Sequence, residues 1–166
     1  MSVIGLPEAR PSNPLDVVEH LADGNDWVFD RAADDEITLV IPGRWTDYHV
    51  SFTWMRDIEA LHLACAFDLR VPELRRGEVR QLVSHVNEQL WVGHFDLWAR
   101  DGLIMFRHAL LLTGGIDPSP KQCQAVLDSA RDACERYYQA FQFVVWAGKS
   151  AREAIDAALF DTSGEA

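Results

Sequence analysis

Asp47, His49 and His62 carry side chains well suited to chemistry in this chain. Asp47 and His49 stand two apart in a run that alternates apolar and polar residues, so an extended strand presents both on one face. A tight turn centred on Arg56 and Asp57 sets Phe52 opposite Leu61 and Val50 opposite Leu63. That register brings His62 diagonal to His49 on the same face. Two imidazoles and a carboxylate are donors that a non-haem metal would accept. The plainer reading is a solvated sheet face, which Ser51, Thr53 and Ala64 on the same side favour. No HxxxH, HExxH or Cys/His pattern with zinc spacing occurs. The expectation is therefore no metal and no cofactor. The Asp47/His49/His62 face stays as the alternative for a metal-binding or small-ligand sensor or enzyme.

A second candidate is the run "VNEQLWVGHFDLWARDGLIMFRHALLL", Val86 to Leu112, which gathers His94, Asp96, Arg107 and His108 around an Arg-Asp-Gly turn. With a two-residue Asp101-Gly102 turn, Phe95, Leu97, Ile104 and Phe106 share one face and Asp96 sits opposite Arg107. His94 and His108 then point to opposite faces. With a three-residue Arg100-Asp101-Gly102 turn and a bulge, those two histidines become cross-strand neighbours. The first register separates apolar from polar residues better and is preferred. It makes the stretch a hairpin held by a charged pair, with the Arg107 region left open to a small ligand.

Other motifs are quiet. His20 and His85 fall among charged residues on helices, and no serine or cysteine has a recognisable nucleophile context, so no catalytic residue is assigned. "LTGGID" is a two-glycine turn and not a phosphate-binding loop. Arg70, Arg75, Arg76 and Arg80 could dock a lone anion, but Glu73 and Glu78 among them favour solvent-facing ion pairs. Trp27, Trp54, Trp98 and Trp146 fall in strand or helix patterns and are expected in the core or half-buried. Trp45 and Trp91 are undetermined. If either is exposed beside Phe or Val, it marks a binding surface rather than a catalytic one.

The elements that must position these residues follow from periodicity and punctuation. Asn13 is a good N-cap with Pro14 behind it, and Val17, Val18, Leu21 and Ala22 make a helical stripe before Gly24. From Trp27 to about Leu69 the period is two, giving four strands; Pro72 then opens a helix that Gly93 ends. A hairpin covers His94 to Leu112. Ser119, Pro120 and Gln122 cap the longest helix, Gly148 ends it, and Ser150 with Glu153 starts another. The order α-β-β-β-β-α-β-β-α-α, with strands joined by short turns, predicts an α+β fold with an antiparallel sheet covered on one face by helices. Residues 1–12 read as a flexible arm, 13–160 as one domain and 161–166 as a polar tail.

A net charge of -11 and 26 acidic residues in 166 disfavour nucleic acid and anionic membrane, and leave room for a basic or amphipathic protein partner. The three cysteines, Cys65, Cys123 and Cys134, lack a CxxC pair and sit in apolar surroundings, which suits buried thiols in the cytoplasm. No leader or membrane-spanning run is expected.

The Val86–Leu112 run, together with "NPLDVVEHLADGNDWVFDR", "IPGRW" and "FQFVVWAGKSAREAI", resembles the YbjN family of bacterial sensory transduction regulators from about Asn13 to Leu159. That resemblance implies a fold similar to the type III secretion chaperones, small acidic cytoplasmic proteins that bind segments of other proteins. It implies a regulator rather than an enzyme, a protein partner, and leaves a homodimer open. It transfers no catalytic residues.

Overall fold

The computed structural model describes residues 12–163, with side chains described through Phe160. Of the arm expected over residues 1–12, only Ser12 falls within this span.

The chain runs α1 (Pro14–Gly24), β1 (Val28–Ala33), β2 (Glu36–Pro42), β3 (Asp47–Met55), β4 (Ala60–Arg70), α2 (Arg76–Asn87), β5 (His94–Trp98), β6 (Leu103–Leu111), α3 (Pro120–Val145) and α4 (Ala151–Ser163). The element order is the expected one, and so is the α+β class. Six antiparallel strands form one sheet in the order β1-β2-β3-β4-β6-β5. Four of the five pairings are hairpins between sequence neighbours. The fifth, β4 with β6, passes over α2 and β5.

Strand alternation decides what lies inside. Ile37, Leu39 and Ile41, then Tyr48, Val50, Phe52 and Trp54, then Leu61, Leu63, Cys65, Phe67 and Leu69 are all buried under the helices. From α3, Val126, Ala130, Cys134, Tyr137, Phe141 and Val144 answer them, spaced at three and four as a helix requires. All three cysteines are free thiols in this core, with Cys65 and Cys134 sulfurs 3.7 Å apart between β4 and α3. Burial pushes the Cys123 thiol up to about 11, out of the reactive range.

The helix ends obey local chemistry. Asn13 accepts from the Leu15 amide at 3.0 Å, and its amide donates to the Asp34 carbonyl, tying α1 to the first hairpin. Ser119 and Gln122 close a reciprocal capping box at α3, and Ser150 accepts from the Glu153 amide at α4. α2 departs from expectation at both ends. A 3₁₀ turn over Glu73–Arg75 intervenes after Pro72, and the helix stops at Asn87, six residues before Gly93.

Asn87 explains that early stop. Its side chain accepts from the Phe95 amide at 2.8 Å and donates to the Phe95 carbonyl at 3.1 Å, so the helix end grips the outer rim of edge strand β5. Asn87→Ala is expected to cost about 2 kcal/mol, since it leaves both Phe95 groups without a protein partner. Urea unfolding followed by circular dichroism measures it; a change below about 0.5 kcal/mol would show that water serves the rim equally well.

Both hairpin registers differ from expectation by the same amount. Met55 pairs with Ala60 and Trp98 with Leu103, so each connection holds four residues and not two. Each ends in a left-handed residue, Glu59 at φ 49° and Gly102 at φ 65°. Phe52 therefore faces Leu63 and Val50 faces Cys65. In the second hairpin Phe95 faces Phe106, and Arg107 faces His94 rather than Asp96. A shift of two preserves which face each side chain takes, so the core is as expected while the cross-strand neighbours are not.

Candidate functional site

The corrected register takes the Asp47/His49/His62 set apart. His49 pairs with Ala66 and His62 with Thr53, four positions along β3 from His49, about 13 Å. Among the described residues no group of three His, Cys, Asp or Glu side chains is placed to hold a metal ion.

His62 instead joins the second candidate. Across β4 and β6 the Arg107 Nε donates to His62 Nε2 at 3.2 Å, and Arg107 Nη1 reaches Asp96 Oδ2 at 3.4 Å. His94 Nε2 lies 3.1 Å from the same Asp96 oxygen. The charged pair Asp96–Arg107 is thus present, made diagonally. His94 and His108 do point to opposite faces, since His94 pairs with Arg107 and His108 with Leu63.

Because Arg107 donates to it, the accepting nitrogen of His62 carries no proton. Burial, then the Arg107 charge and the neighbouring histidines, hold the His62 pKa below 6.5. Burial and His94 do the same for His108. The folded state thus binds fewer protons than the unfolded chain at these sites. Their stabilisation is complete above pH 6.5 and declines as pH falls below it towards the folded values. His62→Gln keeps an acceptor for Arg107 without a titrating group. Its melting temperature is expected to fall less than that of the wild type between pH 7 and 5.5; parallel slopes would remove His62 from the acid response.

Other candidate anion sites are internally occupied. The amides of Gly114 and Gly115 donate to the Glu59 carboxylate at 3.2 and 3.1 Å, so the two-glycine turn cradles the protein's own anion. Arg75 donates to the carbonyls of Val144 and Lys149, and Arg76 to those of Val71 and Ala99. These arginines join backbone segments rather than forming ion pairs with Glu73 and Glu78; Glu78 accepts from the Ala151 amide at the start of α4.

The two undetermined tryptophans come together. Trp91 is 100% exposed and Trp45 40%, and both line a groove of about 880 Å³ along α3 and α4. Val92, Phe143 at 41% exposure and Phe160 add apolar surface, with Arg44, Asp132 and Arg136 among the charged groups around it. Trp98 and Trp146, expected to be covered, are exposed at 45% and 66%, because Trp98 closes an edge strand and Trp146 lies past the last turn of α3.

Local structure holds both groove tryptophans. The Arg44 amide donates to Glu135 Oε1 at 2.6 Å and the Trp45 indole to the Glu135 carbonyl at 3.3 Å, while the Arg44 guanidinium lies 4.8 Å from the Trp45 ring centre. Gly43 has no room for a side chain against Tyr48 and Glu135. Trp91 and Val92 occupy the short link between α2 and β5, whose ends the Asn87–Phe95 grip fixes. The stretches "IPGRW" and "NEQLWVGHF" thus each deliver one tryptophan to the groove.

The profile of the YbjN family, described as "Putative bacterial sensory transduction regulator", matches residues 14–143. No curated protein is significantly similar in sequence. Among solved structures, a chain of the ExsC–ExsE complex superposes with a TM-score of 0.55 at 16% identity, covering 75% of this chain and 90% of that one. YbjN from E. coli, described as "a putative transcription regulator", gives 0.53 at 10% identity, covering 73% and 85%. At such identities the likeness is one of fold.

Proposed function

The chain belongs to the YbjN family, and from that premise we propose that it is a non-enzymatic, chaperone-like regulatory module of the cytoplasm that holds a segment of a protein partner. The observation that carries this reading is the aromatic groove: Trp45, Trp91, Val92 and Phe143 are exposed together beside α3, outside the core. Tryptophan anchors in a concave site with arginine at the rim are the usual energetic centre of protein interfaces. The fold shared with a chain of the ExsC–ExsE complex supports the same class of role. No helix among the described residues is long and apolar enough to cross a membrane.

Affinity capture from an extract of the source organism tests the reading, comparing wild type with a Trp91→Ala/Phe143→Asp variant. Both side chains project from the fold, so the variant should melt with the wild type. A partner should be retained by the wild type and lost at least about tenfold in the variant, as expected when an interface anchor is removed. No reproducible partner, or equal capture by both proteins, would count against the groove. Light scattering on the same samples shows whether the captured partner is a second copy.

A further inference from the structure

We infer that the outer face of α1, with the start of α3, is a second docking surface, and that its occupant is a basic amphipathic segment of a protein partner. This surface is separate from the aromatic groove and stands or falls independently of it.

α1 is apolar over a wider arc than the fold uses. Pro14, Leu15, Val18 and Ala22 fill its inward face and are buried. Val17 and Leu21, one turn apart, pack against the core on one side only and remain half-buried. With Gly24 and Pro120 they line a groove of about 540 Å³ whose edges carry Asp16, His20 and Asn25. A ready-made apolar seat of this size suits alternate-turn Leu or Ile side chains of a docked helix.

Charge selects the occupant. Eight of the 26 carboxylates lie between residues 16 and 36, against Arg31 as the single base there. Arg31 is committed to Asp16 and Glu19 at 3.1 and 3.4 Å. Asp23 and Asp26 are exposed beside the groove's Gly24–Asn25 end and make no ion pair among the described residues. Lys121 at the start of α3 is one further base, and the remaining excess of carboxylate attracts Lys- and Arg-bearing chains and repels nucleic acid and anionic lipid. It also repels itself: a two-fold contact between copies would set these carboxylates against their equals.

Fluorescence anisotropy on the full chain tests this with a labelled Leu/Lys amphipathic helical peptide. A scrambled peptide of the same composition and a Leu/Glu counterpart serve as comparisons. The Leu/Lys peptide should bind, the scrambled one at least about tenfold more weakly, and the Leu/Glu one not at all. Val17→Ser/Leu21→Ser should weaken binding about tenfold. Asp23→Asn/Asp26→Asn, confined to exposed side chains, should weaken it and flatten its salt dependence; it keeps the test open should the first variant fail to fold. Trp91→Ala/Phe143→Asp should bind as the wild type does. Equal affinity for the scrambled peptide would reduce the surface to diffuse charge attraction and overturn the proposal. So would self-association of the wild type abolished by Val17→Ser/Leu21→Ser, which would make the face a contact between copies.

Discussion

Gly93→Ala is expected to destabilise the protein by about 3 kcal/mol. Two costs combine. The backbone at Gly93 has φ 71°, a left-handed conformation in which an alanine costs about 1 kcal/mol. The added Cβ would also run into the Phe106 ring and lie 3.0 Å from the Arg107 carbonyl oxygen. Phe106 has nowhere to retreat: it is fully buried and packs edge-on against Phe95 at 5.4 Å. Overpacking of that kind typically costs about 1–3 kcal/mol. Gly114→Ala isolates the backbone part, because its φ is 89° with nothing within 4 Å of the added carbon. Urea unfolding of both variants should separate them by about 2 kcal/mol. Equal losses would mean that the Phe106 ring yields freely and that the tight packing is not a constraint.

Phe67→Ala is expected to be more damaging still, at about 3–5 kcal/mol. Phe67 on β4 is 2% exposed and meets four other rings, Tyr48, Phe95, Tyr138 and Phe141, at 6.3, 5.8, 5.1 and 5.7 Å. Those rings come from β3, β5 and α3, so the void would open where helix and both halves of the sheet converge. Four rings around one position cannot all close in without breaking their own tilted and edge-on contacts. Against a typical total of about 5–15 kcal/mol, such a loss leaves the fold marginal at 37 °C. Phe67→Leu, which keeps most of the volume, should lose less than half as much. Unfolding midpoints in urea decide the matter; a loss under about 1.5 kcal/mol for alanine would show that the cluster collapses around the gap.

The sequence was most informative where a periodic signal maps onto burial, and least where a loop length had to be supplied. Leu61, Leu63 and Cys65 on β4, and Ala130, Cys134 and Tyr137 on α3, are readable from period alone because water selects one face. The partner of His62 is not. Lengthening each hairpin loop by two residues leaves every face intact, so nothing in the apolar pattern distinguishes His62 near His49 from His62 beside Arg107. The signal that could have helped was local: Gly102 suits the left-handed end of a four-residue connection as well as it suits a tight turn. The groove was legible in part. Trp45 and Trp91 stand outside every helical or strand stripe, which marked them as free to face outward. That they line one groove depends on α3 and α4 lying between them, a long-range arrangement that spacing does not encode.

The strand order has a consequence for how the chain reaches this state. β1 to β4 can zip up as successive hairpins, each closing a short loop, and β5 with β6 can form its own hairpin just as quickly. Joining the two requires β6 to meet β4 with Cys65 against Phe106, across the whole of α2 and β5. Within the sheet that is the pairing of greatest sequence separation, so it is expected to follow the hairpins, and until it forms the rim of β4 stands open with its backbone groups unpaired. A four-stranded meander waiting for its second half is therefore the species expected to be most open to aggregation. Substitutions that slow the arrival of β6 should reveal themselves as aggregation during synthesis before they appear as lost stability.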